Sequence, residues 1–199
     1  MSCPFCGIAA GSPPSPDPAI LTSPAGSAYL VLSTPLVVAF LDIFPLSAGH
    51  VLVCPRNHSA KASGVSPAEA AAIGFWLPVI GRAVMKSLWG GTEGSWNVVQ
   101  ANGAEAGQTV PHVHFHVIPR NQGEGRDSSQ IKDAERANLA LGEGPRSKLD
   151  PEEGERVSAI VKKEIIKEVQ ALVESGEIEV NPENPGEFWM KGPARGLKL

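Results

Sequence analysis

Three short apolar runs follow one another between residues 29 and 55: YLVLS, LVVAFLD and HVLVCP. Each is rich in β-branched residues and bounded by Pro, Gly or Ser, the pattern of consecutive strands in an antiparallel sheet. Ser66-Pro67-Ala68-Glu69 then combines a capping serine, proline at the first helical position and glutamate at the third, which predicts a helix through about Trp89. Pro78 lies inside that helix and is expected to kink or split it. SWNVVQ predicts a further strand, ANGAEAG a turn-rich connection, and HVHFHVIP, from His112, a last strand. Upstream, residues 11–28 (GSPPSPDPAILTSPAGSA) read as a loop, because their prolines lack amide donors.

Beyond Arg120 the texture changes to small and charged residues with few anchors for a core. Asp150-Pro151-Glu152-Glu153 repeats the capping pattern and predicts a helix at about 150–175. Val157, Ile160, Val161, Ile165, Val169 and Leu172 fall on one of its faces. That stripe must bury against the same domain, a dimer partner or a separate partner. The closing GEFWMKGPARGLKL reads as a loop whose Phe188 and Trp189 dock on the domain. The chain thus divides into a domain over residues 1–120 and a C-terminal extension over 121–199.

Composition narrows the class of protein. Apolar residues make up 42% of the 199, a globular proportion. The net charge of −4 comes with no Lys/Arg-rich run, which removes the electrostatic basis for a nucleic-acid or anionic-membrane surface but leaves room for a small charged ligand. No apolar run approaches the roughly 18 residues that span a bilayer, and MSCPFCGIAAG has no basic segment followed by an apolar one. A soluble cytoplasmic protein, with the nucleus as a further compartment, is the expectation. Cys3-x-x-Cys6 points to metal or redox chemistry, and Cys54 to a buried core thiol.

Three of the five histidines stand at 112, 114 and 116. On a strand they would share one face at spacings of roughly 6.5 to 7 Å, with Val113, Phe115 and Val117 on the other. A polar strand face and a metal site, with His at i and i+2, are both open readings. Gly107-Gln108-Thr109 just upstream adds an unobstructed backbone, an amide and a hydroxyl, all able to donate to an anion. With a neutral imidazole as nucleophile, that set suits phosphoryl chemistry.

HVHFHV, together with AFLDIFPLSAGHVLVCPRNH, resembles the two signature segments of the histidine triad (HIT) nucleotide hydrolases and transferases. The likeness covers about residues 3–120. It implies an α+β fold, a five-stranded antiparallel sheet with a long helix, to which this chain adds its C-terminal helix, and a homodimer as the assembly. It also implies a purine nucleotide as substrate, with nucleoside monophosphate released from a phosphoramidate or a dinucleoside polyphosphate. His114 would be the nucleophile, His116 would hold the α-phosphate, and His50 would orient the triad from behind. Gln108 and Thr109, beside Gly107 and Asn102, would contact the phosphate. Asp42 would accept from the ribose hydroxyls, and Phe40, Leu41 and Ile43 would form the base slot; a carboxylate closing a turn is the alternative for Asp42. Cys3, Cys6, His58 and His112 match a structural zinc site found in part of the family.

One position departs from that pattern. The family usually carries Asn or Gln eleven residues before the first triad histidine, and here that residue is Ala101. Asn102 is adjacent, but a shift of one residue points a strand side chain to the opposite face. A slow reaction or an unusual leaving group would follow. So would a second class of function, a nucleotide-binding regulatory module without turnover, while a hydrolase using zinc as its catalyst is a third.

Overall fold

The computed structural model describes residues 3–15, 28–92, 94–120, 146–181 and 188–191. Strands β1 (Leu30–Ser33), β2 (Val37–Leu41), β3 (Val51–Pro55), β4 (Ser95–Val99) and β5 (Phe115–Arg120) form one antiparallel sheet in the order β1-β2-β3-β5-β4. Every residue of β1, β2 and β3 is buried, which explains why their sequences are continuous apolar runs: both faces of the sheet are covered. On one face Leu30, Val38, Phe40, Leu52 and Cys54 pack against the short helix α1 (Pro4–Gly11). The other carries Val31, Val37, Ala39, Leu41, Val51 and Val53 into the main core beneath α2 (Pro67–Trp89) and α3 (Pro151–Glu174).

Helix α2 begins as expected. Ser66 Oγ accepts from the Glu69 amide, and the Glu69 carboxylate accepts in return from the Ser66 amide. Pro78 neither ends nor splits it. Gly74 and Pro78 both lie on the exposed side, so the carbonyl that Pro78 leaves without a donor faces water. By length and composition α2 would also pass for a membrane span, contrary to the sequence-based expectation, but 56% of the apolar window is buried within the domain.

Helix α3 answers where its stripe goes. Val157, Val161 and Ile165 join the same core as α2 and the sheet, and the approach is close enough that Gly154 lies against the Tyr29 ring, 2.6 Å from where a Cβ would stand. Buried Glu168 pairs with Arg82 at 2.6 Å and with Lys86. Asp150 Oδ1 caps the helix by accepting from the amides of Glu152 and Glu153.

One helix was not anticipated, and two local expectations are corrected. Residues 4–11 are helical, Pro4 taking the first position behind Cys3. Residues 188–190, expected as loop, form β7 (Phe188–Met190), which pairs with β6 (Ile178–Val180). The last strand of the main sheet starts at Phe115, not at His112. Most of the proline-rich segment, and residues 121–145, fall outside the described residues.

Candidate active site

A row of paired residues crosses the sheet from Leu30 through Phe40 and Leu52 to His116, and the last three of them line a cavity of about 670 Å³. That volume suits a nucleotide-sized ligand. Phe5 and Ile8 of α1 form one wall, Asp42, Ile43 and Phe44 the rim beyond β2, and Gly107, Thr109 and Val110 the edge near the histidines. His114, His116 and Arg146 also face it.

Because β5 begins after them, His112 and His114 are not rungs of a strand face. His112 is fully buried, His114 is 4% exposed, and the rings of His114 and His116 meet edge-on with centroids 4.9 Å apart. Hydrogen bonds then fix a different proton arrangement on each ring. A carbonyl can only accept, so His114 donates Nδ1–H to the His112 carbonyl (2.7 Å), leaving its Nε2 with a bare lone pair. His112 donates Nε2–H to the Pro55 carbonyl (2.9 Å), which leaves Nδ1 bare. The Leu46 amide donates to His50 Nδ1, so His50 must carry its proton on Nε2 and donate it to His116 Nδ1, 2.9 Å away. His116 is left with Nε2–H as its own donor. Burial, reinforced for His50 by its neighbour His116 and for His116 by His114, lowers both pKa values, His50 to about 2 and His116 to about 4. Both rings are therefore neutral near pH 7.

The backbone explains how these residues meet. Asp42 and His50 continue the β2–β3 pairing, the Asp42 amide donating to the His50 carbonyl at 2.9 Å. Between them the loop turns at Gly49 (φ 81°), where a Cβ would stand 2.5 Å from Leu88 and 2.7 Å from Val84 of α2; only glycine allows both the turn and that approach. Asp42 Oδ1 accepts from the Phe44 amide (2.8 Å), an Asx turn, and Oδ2 accepts from Arg146 Nη1 (3.1 Å). The turn-closing alternative and the cavity-facing role are thus both present in one carboxylate. Desolvation raises its pKa, and the Phe44 amide and Arg146 act against that rise.

Cys3, Cys6, His58 and His112, expected together, do come together: each offers one ligand atom, all within 4.8 Å of one another. His112 Nδ1 lies 3.4 Å from Cys3 Sγ and 3.6 Å from Cys6 Sγ, and His58 Nδ1 is 3.3 Å from Cys6 Sγ. Two thiols and two imidazoles converging, with His112 in the tautomer that leaves Nδ1 free, fit a tetrahedral zinc ion.

Gln108 and Asn102, expected near the phosphate, are not among the described residues that line the cavity. Gln108 Oε1 accepts from the Gly103 amide, and its Nε2 donates to the carbonyls of Ala60, Val110 and His112; the side chain braces the loop instead of facing the cavity. Asn102 Oδ1 accepts from the Ala62 amide at 2.8 Å and is likewise spent. Phe40, Leu41, Asp42, Ile43, Gly107 and Thr109 do line the cavity. The sequence reading missed α1 and Arg146. Pro4 behind Cys3, with Phe5 and Ile8 three apart, was a usable helix signal. Arg146 gave none, since its partner lies 104 residues away.

A family model described as HIT domain matches residues 26–123. An adenosine 5'-monophosphoramidase of Schizosaccharomyces pombe is 37% identical over 167 residues, 81% of this chain and 100% of that protein. A bifunctional bis(5'-adenosyl)-triphosphatase/adenylylsulfatase of Arabidopsis thaliana is 32% identical over 102 residues, 51% of this chain and 55% of that one. Among solved structures, a Zn-bound histidine triad family protein from Mycobacterium smegmatis superposes with a TM-score of 0.59 at 24% identity, covering 86% of this chain and 98% of the other.

Proposed function

Because this chain belongs to the HIT domain family, we propose that it is a nucleotide hydrolase that releases AMP from an adenosine phosphoramidate, or from a dinucleoside polyphosphate, through a covalent adduct on His114. The observation that carries this is the His114 hydrogen bond: Nδ1–H is given to a carbonyl, which leaves Nε2 bare in the neutral ring, and that ring lines a cavity of nucleotide size. The identity to a phosphoramidase along that protein's whole length favours the phosphoramidate.

In the first step the His114 Nε2 lone pair forms a bond to the α-phosphorus, the bond from phosphorus to the leaving group breaks, and its electron pair departs with that group, which from a phosphoramidate takes up a proton from solvent as it leaves as the neutral amine. The positive charge that develops on the ring is held by the Nδ1–H bond to the His112 carbonyl. His116, fixed through its Nδ1 by His50, donates Nε2–H to a phosphate oxygen. Water then attacks phosphorus and gives up a proton to solvent, the P–N bond to His114 breaks with its electron pair returning to Nε2, and AMP is released from the neutral imidazole. Phe5, Ile8 and Phe40 enclose the base, and the Asp42 carboxylate accepts from the ribose.

Zinc at Cys3, Cys6, His58 and His112 would be structural, tying the start of α1 to the end of β3 and holding His112 in place. A homodimer joined along β4 also fits. That strand is an edge of the sheet with a half-buried to exposed pattern, and Val98 is 45% exposed on it.

The test is a turnover panel of adenosine phosphoramidate, diadenosine triphosphate and diadenosine tetraphosphate. Hydrolysis to AMP that disappears in His114→Ala supports the reading. AMP binding without turnover of any of them would favour the regulatory module, a reading that Ala101 keeps in view.

A further inference from the structure

Asp42 Oδ2 lies 3.6 Å from His50 Nδ1 and 4.0 Å from His116 Nδ1. Neither nitrogen can donate to it. His50 Nδ1 is already accepting from the Leu46 amide, and His116 Nδ1 from His50. The oxygen therefore faces two lone pairs, and the donor shown for it among the described residues is Arg146 Nη1 at 3.1 Å. The same nitrogen donates to the Phe44 carbonyl, so one guanidinium nitrogen clamps both ends of the Asp42–Phe44 turn. Three residues on, the Leu149 amide donates to the Ile43 carbonyl at 2.8 Å, and Asp150 begins the helix whose stripe enters the core. The segment 146–150 is thus stitched along the rim of the cavity, and it lies outside the residues that the family model matches.

We propose that Arg146 is a positioning residue through which the C-terminal extension sets selectivity for ribonucleotides. A carboxylate has about four lone-pair sites. The Phe44 amide takes one on Oδ1 and Arg146 one on Oδ2, which leaves capacity for the two vicinal hydroxyls of a ribose. Without the guanidinium, the groups that Oδ2 faces among the described residues are imidazole acceptors. The carboxylate then turns away or takes up a proton, and either change removes acceptors from the diol. This inference rests on the nucleotide reading above and concerns the sugar, not the reacting phosphorus.

Calorimetric binding of AMP and of 2',3'-dideoxy-AMP, which lacks both hydroxyls, tests it on wild type, Arg146→Met and Arg146→Lys. The Arg146 side chain is 36% exposed, so its removal leaves the core intact and the melting temperature serves as the control. Arg146→Met should weaken AMP by about tenfold while leaving dideoxy-AMP almost unchanged. Lysine, still a cation, should recover part of the loss. In an Asp42→Ala background the Arg146→Met change should no longer alter the ratio of the two affinities. Equal loss for both ligands overturns the proposal, and so does tighter AMP binding, which would make Arg146 a competitor of the ribose. A wild type that binds neither ligand overturns the nucleotide reading itself.

Discussion

Four imidazoles sit within one short chain segment and its neighbours, and hydrogen bonding gives them different capacities: a bare Nε2 on His114, a bare Nδ1 on His112, a donor Nε2 on His116 and a ring with both nitrogens committed on His50. The motif alone could name these residues but not their protonation: the Pro55 carbonyl and the His50–His116 pairing are remote in sequence, and the nearby His112 carbonyl and Leu46 amide are backbone groups whose direction side-chain identity does not set. The 104-residue separation of Arg146 from Asp42 hid that residue from any local reading for the same reason. At Ala101 the sequence was more informative than its neighbour suggested, since the Asn102 carboxamide oxygen is held by the Ala62 amide and Asn102 is not among the described residues that line the cavity. Restoring the amide with Ala101→Asn should raise kcat by about tenfold through one added transition-state contact of roughly 1 to 3 kcal/mol, read from steady-state rates with KM little changed. A rate that stays flat would mean that position 101 does not reach the leaving group.

At the scale of elements, α1 joins the Cys3/Cys6/His58/His112 cluster to the cavity beside the histidines. Cys3 and Cys6 bracket Phe5, whose ring meets those of His114 and Phe40 edge-on, each at 5.3 Å. Purified protein should carry about one zinc per chain, and Cys3→Ser should lose it, lowering the melting temperature as the link between α1 and β3 loosens. Metal-free protein with unchanged melting would count against the site. Helix α3 is an equally integral element. Truncating Ile165, fully buried, to alanine should cost about 2 to 5 kcal/mol in denaturant unfolding, whereas a loosely docked appendage would lose much less. The strands and both long helices were legible because capping residues and apolar periodicity are local signals. The β6–β7 pair was not, because the three residues Phe188–Met190 owe their strand form to pairing with Ile178–Val180 and are too few to carry a periodic signal.

For the molecule as a whole, buried neutral histidines link stability to pH. In the unfolded chain His50 and His116 would titrate near 6.5, while in the fold they are pushed to about 2 and about 4. Between about pH 6.5 and 4 the unfolded state therefore binds more protons, so stability falls as pH drops, by up to about 1.4 kcal/mol per unit for each ring. Asp42, whose pKa burial raises, opposes this only once its own carboxyl begins to protonate. Unfolding curves across that window should show the slope, and His116→Gln should reduce it. The central claim is chemical, and it is tested most directly by acid-free quenching of the enzyme during turnover of adenosine phosphoramidate, followed by peptide mass spectrometry. An AMP-sized mass is expected on the peptide that holds residues 112–120, localised to His114 and absent in His114→Ala. An adduct on another residue, or one that persists in His114→Ala, would contradict it.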